Sequence, residues 1–332
     1  MNKETEVLIE TADSVFKQHF PATTWFERAI FFSWWCGIRD CQFCYMSAQK
    51  NAKKEYSIRH EASILAEVWL CKKLGWEIGF FTGGINAFST DKVLDMLKKI
   101  NTIYGKVWLS VGPLSKSLLE KYKPYIRGVV GSTETVNPVL HKKVCPSKPL
   151  EPYYNMFETA NSLGLETAMT FIVGLGETQK DFPLLAETIK KYHISKIHVY
   201  GLIPHEGTAF AHAKPPTEEE QAWWIAQLRM TFPTLDIQCG IWSDRIERTH
   251  TLLRAGANSI SKYQAIKLFA KKTSQDIEKE AAKAGRHFTG TLTTLPALDV
   301  HEIDSYDFPK QLTKHIKKKA EEYVAIMQKN CN

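Results

Sequence analysis

The sequence lacks an apolar run of membrane-spanning length, and it lacks the apolar core of a secretory leader. A membrane-spanning helix needs about 20 predominantly apolar residues, and no stretch approaches that. Residues 1–20 instead carry charged side chains that include Lys3, Glu6 and Asp13. We therefore expect no membrane association and a cytoplasmic location.

The cysteine content also excludes a secreted disulfide framework. The seven cysteines are odd in number and partly clustered, which favours free thiols in a reducing compartment. The net charge of +7 is spread along the chain, and its densest run, Lys317–Lys319, falls in a predicted C-terminal helix. This distribution argues against nucleic-acid binding and suits an acidic partner protein.

Short apolar runs alternate with helical patterns through most of the 332 residues, without a low-complexity linker. The predicted strands are 28–34, 77–82, 107–111, 128–132, 167–173, 196–203, 235–240 and 257–261. The predicted helices between them are 58–74, 90–101, 115–122, 150–163, 179–192, 217–230 and 244–254. Repeated strand-helix units predict an α/β fold of the (β/α)8 TIM-barrel type.

The chain is predicted to consist of three segments. Residues 1–20 form an N-terminal helix, residues 21–272 form the barrel, and residues 273–332 form a helical extension packed on it. The extension contains predicted helices at 274–284 and 311–328.

A cysteine triplet, Cys36, Cys41 and Cys44, follows the first predicted strand with the spacing C-x4-C-x2-C. Catalytic sites of such barrels lie at the C-terminal ends of the strands, so the triplet falls at that end. Clustered thiols in a reducing compartment are typical of metal sites. Three ligands on a four-iron cluster leave one iron open, and an open iron can bind a substrate.

Two other metal sites fit the triplet less well. A plant-type ferredoxin needs a distant fourth cysteine, and Cys71 lies 27 positions after Cys44. Cys71 shares a helical face with Ile64 and Val68, which favours core packing. A zinc site normally has four nitrogen or sulfur ligands, or three and a water.

Other unusual segments follow later strands and so fall at the same end of the barrel. These are Thr82–Ile85 after the second strand, Glu134–Thr135 after the fourth, Gly174–Glu177 after the fifth and Pro204–Gly207 after the sixth. Their convergence predicts a functional site at the barrel mouth.

The triplet resembles the cluster loop of the radical S-adenosylmethionine (SAM) superfamily, which normally reads C-x3-C-x-φ-C with φ aromatic. Phe43 fills the aromatic place and Tyr45 follows, although the first gap is one residue longer. Segments 129–141, 171–178, 202–208 and 255–260 resemble the biotin synthase branch, which includes hydrogenase maturase and methylornithine synthase enzymes. The chain as a whole also resembles subunits of the archaeal-type, two-component lipoyl synthases.

This resemblance implies a [4Fe-4S] cluster on the triplet, with SAM on the open iron as the source of a 5′-deoxyadenosyl radical. It implies that Phe43 lies against the adenine edge through its backbone and that Tyr45 also binds the cofactor. It further implies that Gly83 and Gly84 approach the methionine end and that Glu134 accepts hydrogen bonds from the ribose.

The other implied site residues have rival roles. Gly174 and Gly176 would shape the adenine pocket, while Glu177 is expected to cap the following helix. Gly83 and Gly84 could instead form an ordinary strand-to-helix turn, since Ile85 stands where much of the superfamily has glutamate. The alternative role of Glu134 is to form a surface salt bridge.

Lipoyl synthesis would add a source of sulfur and further partners. Cys145 and Cys239 are the candidate ligands of a second iron–sulfur cluster, because both could reach the barrel mouth. Biotin synthase's own donor-cluster cysteines are not reproduced, since Ala168 occupies the matching strand position. The implied partners are a ferredoxin or flavodoxin electron donor, an octanoylated carrier protein and a second radical SAM subunit. Other biotin synthase-like reactions, and a non-catalytic cluster scaffold or electron relay, remain alternatives.

Overall fold

The computed structural model describes residues 1–49 and 51–331. Its strands are β1 (Thr23–Trp25), β2 (Glu27–Phe31), β3 (Glu77–Thr82), β4 (Val107–Ser110), β5 (Ile126–Glu134), β6 (Glu166–Val173), β7 (Lys196–Gly201), β8 (Asp236–Gly240), β9 (Ser259–Ser261) and β10 (His287–Thr289).

The helices enclose these strands. They are α1 (Lys3–His19), α2 (Tyr45–Ala48), α3 (Lys54–Ser57), α4 (Glu61–Leu74), α5 (Thr90–Ile103), α6 (Lys116–Tyr122), α7 (Pro138–Val144), α8 (Glu151–Ser162), α9 (Phe182–Lys191), α10 (Glu218–Thr231), α11 (Thr249–Arg254), α12 (Ala265–Leu268), α13 (Lys272–Lys283) and α14 (Lys310–Cys331). In the described ranges, no helix is both long and apolar enough to cross a lipid bilayer.

Strands β2 to β9 form one parallel sheet in chain order. A single parallel bridge between Phe26 and Ile260 joins its two edges, so the sheet nearly closes into a barrel. Every residue of β4 and β7 is buried, as expected for parallel strands covered on both faces. The predicted (β/α)8 architecture is confirmed.

Helix α5 shows how the sequence places its outer layer. Ser89 accepts a hydrogen bond from the backbone N–H of Lys92 and so caps the N-terminus. Val93, Met96 and Leu97 are buried on one face, at the spacing of an amphipathic helix. The helix therefore packs that face against the sheet and leaves its polar face in solvent.

Several boundaries differ from the sequence predictions. The first barrel strand ends at Phe31 rather than 34, because Ser33 pairs antiparallel with Ile58. Helix α7 was not predicted, although Asn137 caps it and Pro138 opens it. Strands β1 and β10 pair with each other outside the barrel, and no pattern within either short strand signals that long-range pairing.

A buried ion network closes the N-terminal end of the barrel. Lys196 Nζ lies 2.6 Å from Glu27 Oε1 and 2.9 Å from Asp236 Oδ2, and Ser259 Oγ donates to Glu27 at 2.7 Å. Burial alone would raise the pKa of Glu27, but the Lys196 ammonium holds it below the usual value. These charges compensate one another, which indicates a structural role at this end.

His198 on β7 makes stability depend on pH. Burial, with the Lys196 charge nearby, lowers the pKa of its imidazole to about 3. Between that pH and about 6.5 the unfolded chain binds a proton that the folded chain does not, so stability falls as pH falls. From pH 7 to pH 5 this one group is expected to contribute a loss of about 2 kcal/mol.

Urea unfolding of the wild type and a His198→Gln variant at both pH values measures this contribution. The variant should show a smaller decline in unfolding free energy between pH 7 and pH 5. Equal declines in the two proteins would contradict a buried, neutral His198.

Candidate active site

The cysteine triplet lies between β2 and α2, at the C-terminal end of the barrel, and is tied to two later segments. The N–H of Gly37 donates to Ile85 O at 2.8 Å, beyond β3, and the N–H of Gln42 donates to Val144 O at 2.8 Å, at the end of α7. The loop therefore spans the mouth, with its ends held by segments that follow β3 and β5.

The longer first gap of the triplet is taken up by a bend centred on Arg39. Its backbone is left-handed, with φ of 51°, and its guanidinium donates to Ala52 O at 3.2 Å. The guanidinium also lies 4.9 Å from the centroid of the Trp35 ring. These contacts hold the bend between Cys36 and Cys41 in place, and all three cysteines remain free thiols.

The thiols of the triplet have different surroundings. Cys36 and Cys44 are half-buried and Cys41 is buried. A hydrogen bond with the Cys145 thiol, together with burial, raises the pKa of Cys41. Burial raises the pKa of Cys44 to about 11. Without a metal these two thiols stay protonated at neutral pH, so a cluster would have to displace their protons.

The cysteine loop offers three free thiols as donors, a donor set that suits an iron–sulfur cluster. Among residues 1–49 and 51–331, no three histidine, cysteine or carboxylate side chains lie close enough to hold a single metal ion. The zinc alternative stays a prediction. Cys71 is fully buried in the core, which confirms its packing role and removes the ferredoxin alternative.

Gly83 and Gly84 make room for the cysteine loop itself. A Cβ on Gly84 would lie 1.8 Å from Trp35 O and 2.5 Å from Cys36 Cα, and one on Gly83 would lie 2.4 Å from the Phe32 ring. Glycine is therefore required at both positions by packing within the chain. Their approach to a methionine group stays a prediction.

Glu134, the last residue of β5, is held in an unusual position. Its φ is 63°, a left-handed conformation that is uncommon outside glycine. Lys148 Nζ donates to Oε1 and Thr170 Oγ1 donates to Oε2, each at 2.8 Å. The pair with Lys148 is buried, so the surface salt bridge alternative is wrong. Each oxygen retains a lone pair for a ribose hydroxyl, a role that stays a prediction.

A cavity of about 670 Å³ opens beside the cysteine loop. Phe43, Cys44 and Tyr45 form one wall, and the ends of β7 and β9 form the other. The Tyr45 ring meets the His205 ring edge to face, with centroids 5.7 Å apart. This volume lies in the range of small-molecule sites, and both predicted aromatic residues border it.

Gly174 and Gly176 line a different cavity, of about 390 Å³, against Pro216 and Trp223. Their φ angles of 104° and 120° require glycine. The predicted helix cap by Glu177 is wrong: its carboxylate accepts from the N–H groups of Gly174 and Leu175, at 2.6 and 2.9 Å. Thr178 and Asp181 form the capping box instead. The adenine role of the two glycines stays a prediction.

Cys145 and Cys239 do not lie together. Cys145 packs with Cys41 in a small cluster at the mouth. Cys239 belongs to the main core and donates to Ser259 O at 3.4 Å. Its neighbour Gln238 points into the barrel, toward Glu27, so alternation along β8 turns Cys239 toward the helices. The structure gives no support to a second cluster on this pair.

Sequence reasoning missed Lys148, Thr170 and Lys262. Lys262 directly follows β9, so the rule that sites lie at strand ends could have found it. Thr170 lies within β6, and its place opposite Glu134 depends on strand register. Lys148 lies in an irregular loop, and nothing in its local sequence predicts a partner.

Comparison with known proteins identifies the family of this chain. Residues 32–189 match the Radical SAM superfamily. An uncharacterized protein of Methanocaldococcus jannaschii is 33% identical over 302 residues, which cover 89% of this chain and 84% of that protein. The [FeFe] hydrogenase maturase subunit HydE of Thermotoga maritima is 26% identical over 260 residues, covering 77% and 74% of the two chains.

Two further proteins are similar to this chain. A biotin synthase of Thermotoga neapolitana is 24% identical over 239 residues, covering 70% of this chain and 80% of that protein. The structure of methylornithine synthase (PylB) superposes with a TM-score of 0.69 at 20% identity, over 79% and 78% of the two chains, which shows the shared fold. Residues 32–189 therefore form a radical SAM domain, and the chain is similar to the biotin synthase-like branch of that superfamily.

Proposed function

We propose that this radical SAM enzyme acts on an octanoyl chain attached to a lysine of a carrier protein and takes part in sulfur insertion at C6 or C8. The observation that carries the proposal is the cavity beside Cys44, whose walls include Phe43, Ile172 and Leu202. This apolar part of the wall suits an unbranched aliphatic chain.

Different residues at the barrel mouth would bind the cluster and SAM. Cys36, Cys41 and Cys44 would hold the cluster, and Glu134, fixed by Lys148 and Thr170, would hold the SAM ribose. When bound, the cluster and SAM supply the 5′-deoxyadenosyl radical that removes hydrogen from an unactivated carbon. The protein would contribute the orientation of the bound groups.

The sulfur is proposed to come from another protein. Cys145 and Cys239 lie in separate clusters of the core, so they offer no joint site for a donor cluster. A second radical SAM subunit with its own iron–sulfur cluster would supply the sulfur, and a ferredoxin or flavodoxin would supply electrons. The net charge of +7 suits acidic partners. A reducing cytoplasm suits the free thiols.

The test is an anaerobic assay with an octanoylated carrier peptide, with and without the second subunit. We expect the peptide to gain the mass of one or two sulfur atoms only when both proteins and SAM are present. A Cys44→Ala variant and an unacylated peptide serve as controls. Active SAM cleavage without a mass gain would point to another reaction of the branch. No SAM cleavage at all would favour the alternative of a non-catalytic cluster scaffold.

A further inference from the structure

A basic groove lies between the start of α4 and helix α14, outside the 670 Å³ cavity. Its volume is about 460 Å³, and its lining includes Arg59, His60, His315, Lys318, Lys319 and Glu322. Lys318 and Lys319 belong to the densest basic run of the sequence, which the proposed reaction does not use. The fold therefore places two lysines of that run on a concave surface.

The lysines of the groove outnumber its carboxylates. Among the described residues Lys318 forms no ion pair, and Lys319 Nζ lies 2.6 Å from Glu322 Oε2. Lys317, the first residue of the run, lies outside the groove and binds Asp304 at 2.8 Å. The two lysines of the lining therefore exceed its single carboxylate by one charge.

The groove adjoins the cavity through a shared carboxylate. Glu67 is buried and binds both Arg28, which lines the cavity, and Arg59, which lines the groove. Two guanidiniums on one carboxylate leave a second surplus positive charge. The Arg59 guanidinium also lies 6.0 Å from the centroid of the Trp34 ring, which lines the cavity. A molecule that enters the cavity past Trp34 therefore lies beside the groove.

The two walls of the groove are fixed to each other. The hydroxyls of Ser63 on α4 and Tyr323 on α14 lie 2.8 Å apart, and the Arg59 guanidinium donates to both. The rings of His60 and His315, one from each wall, meet edge to face with centroids 5.9 Å apart. The groove is therefore formed before any ligand binds, which lowers the entropic cost of binding.

Exposed aromatic side chains lie beside the groove. Trp34 is 41% exposed and Tyr56 is 82% exposed. The N–H of Trp34 donates to Ser57 O at 3.0 Å, so the two aromatic residues lie on neighbouring segments. Exposed tryptophan and tyrosine near arginine are typical of protein–protein interfaces. Because a free phosphate would contact the cations alone, the aromatic side chains favour a protein as the occupant.

We propose that the groove docks an acidic face of the carrier protein while its acylated lysine passes Trp34 into the cavity. The inference rests on the proposed function in taking an acyl-lysine of a protein as the substrate. An acyl group attached to a protein reaches the cavity only if the surface of that protein meets the cavity rim. Carboxylates beside the modified lysine would then complement the surplus positive charge of the groove.

Four synthetic peptides, each with one central lysine, test the docking site on the full-length, reconstituted chain. The flanks carry either glutamates or glutamines, and the lysine is either octanoylated or acetylated. Flanks of about six residues reach about 20 Å when extended. Fluorescence anisotropy measures binding at low and high salt. At low salt the wild type should bind the glutamate peptides about tenfold or more tightly than the glutamine peptides, and salt should reduce that preference.

Lys318→Gln combined with Lys319→Gln should lose most of the preference for glutamate, whereas Lys318→Arg combined with Lys319→Arg should retain it. Lys190→Gln combined with Lys191→Gln is the matched control, because it removes two adjacent exposed lysines at the end of α9. That end lies shortly before Lys196 and so at the opposite end of the barrel. The control should keep the preference. The iron content of every variant is measured first.

The docking site is overturned if the Lys318→Gln, Lys319→Gln variant keeps the wild-type preference for glutamate flanks. It is also overturned if a short single-stranded DNA binds as tightly as the glutamate peptides and loses that binding in the same variant, since the groove would then recognise nucleic acid. The comparison of octanoylated with acetylated peptides tests the octanoyl proposal separately. Failure of that comparison leaves the docking site standing, and failure of the glutamate preference leaves the octanoyl proposal standing.

Discussion

Single replacement of Cys36, Cys41 or Cys44 by alanine should reduce the iron bound after anaerobic reconstitution from about four atoms per chain to nearly none. The three thiols lie on one loop fixed across the barrel mouth. Each thiol would hold a different iron of the cluster, so the loss of one thiolate should destabilise the whole cluster. Iron analysis and the visible absorption of the cluster measure the effect.

Cys71→Ala and Cys239→Ala are the matched controls for these variants. Both thiols are fully buried in the main core, so each variant should keep about four irons per chain. An iron content near eight atoms per wild-type chain, reduced to four by Cys239→Ala, would instead support a second cluster. Full iron content in a Cys44→Ala variant would contradict the ligand assignment.

Lys148→Met should destabilise the protein by about 3–5 kcal/mol, because it leaves the buried carboxylate of Glu134 without its counter-charge. The pair is separated by 2.8 Å, and both side chains are nearly inaccessible to solvent. Although burial alone would lower the pKa of Lys148, the Glu134 charge raises it well above the usual value. Urea unfolding at neutral pH measures the loss.

Arg127→Met is the control for an ion pair of the same spacing at the surface. Arg127 lies 2.7 Å from Glu166, but both side chains are about half exposed, so the expected loss is at most about 1 kcal/mol. The double variant Lys148→Met, Glu134→Gln should recover part of the stability, since it buries no unpaired charge. Similar losses in Lys148→Met and Arg127→Met would show that the Glu134 pair is not desolvated.

Much of the barrel could be predicted because its strands are buried on both faces. Local sequence predicts these elements: β4 and β7 are continuous apolar runs, and helices such as α5 are capped and amphipathic. The position of the triplet followed from one rule, that barrel sites lie at the C-terminal ends of strands. The same rule applies to Glu134 and to Lys262, although only the first was named in advance.

The remaining features depend on contacts between distant parts of the chain. Cys145 meets Cys41 only because the cysteine loop hydrogen-bonds to the end of α7. Glu177 turns back onto its own loop because two glycines with positive φ expose backbone N–H groups to it. Cys239 faces the helices because of the register of β8. Neither spacing nor composition contains that information.

Reductive cleavage of SAM tests whether this chain is a radical SAM enzyme. Reconstituted protein is incubated anaerobically with SAM and dithionite, and 5′-deoxyadenosine and methionine are quantified by chromatography. Both products should form in equal amounts with the wild type and be absent with Cys44→Ala. A wild-type chain that carries about four irons and yields no 5′-deoxyadenosine, with the octanoylated peptide present or absent, would contradict this activity.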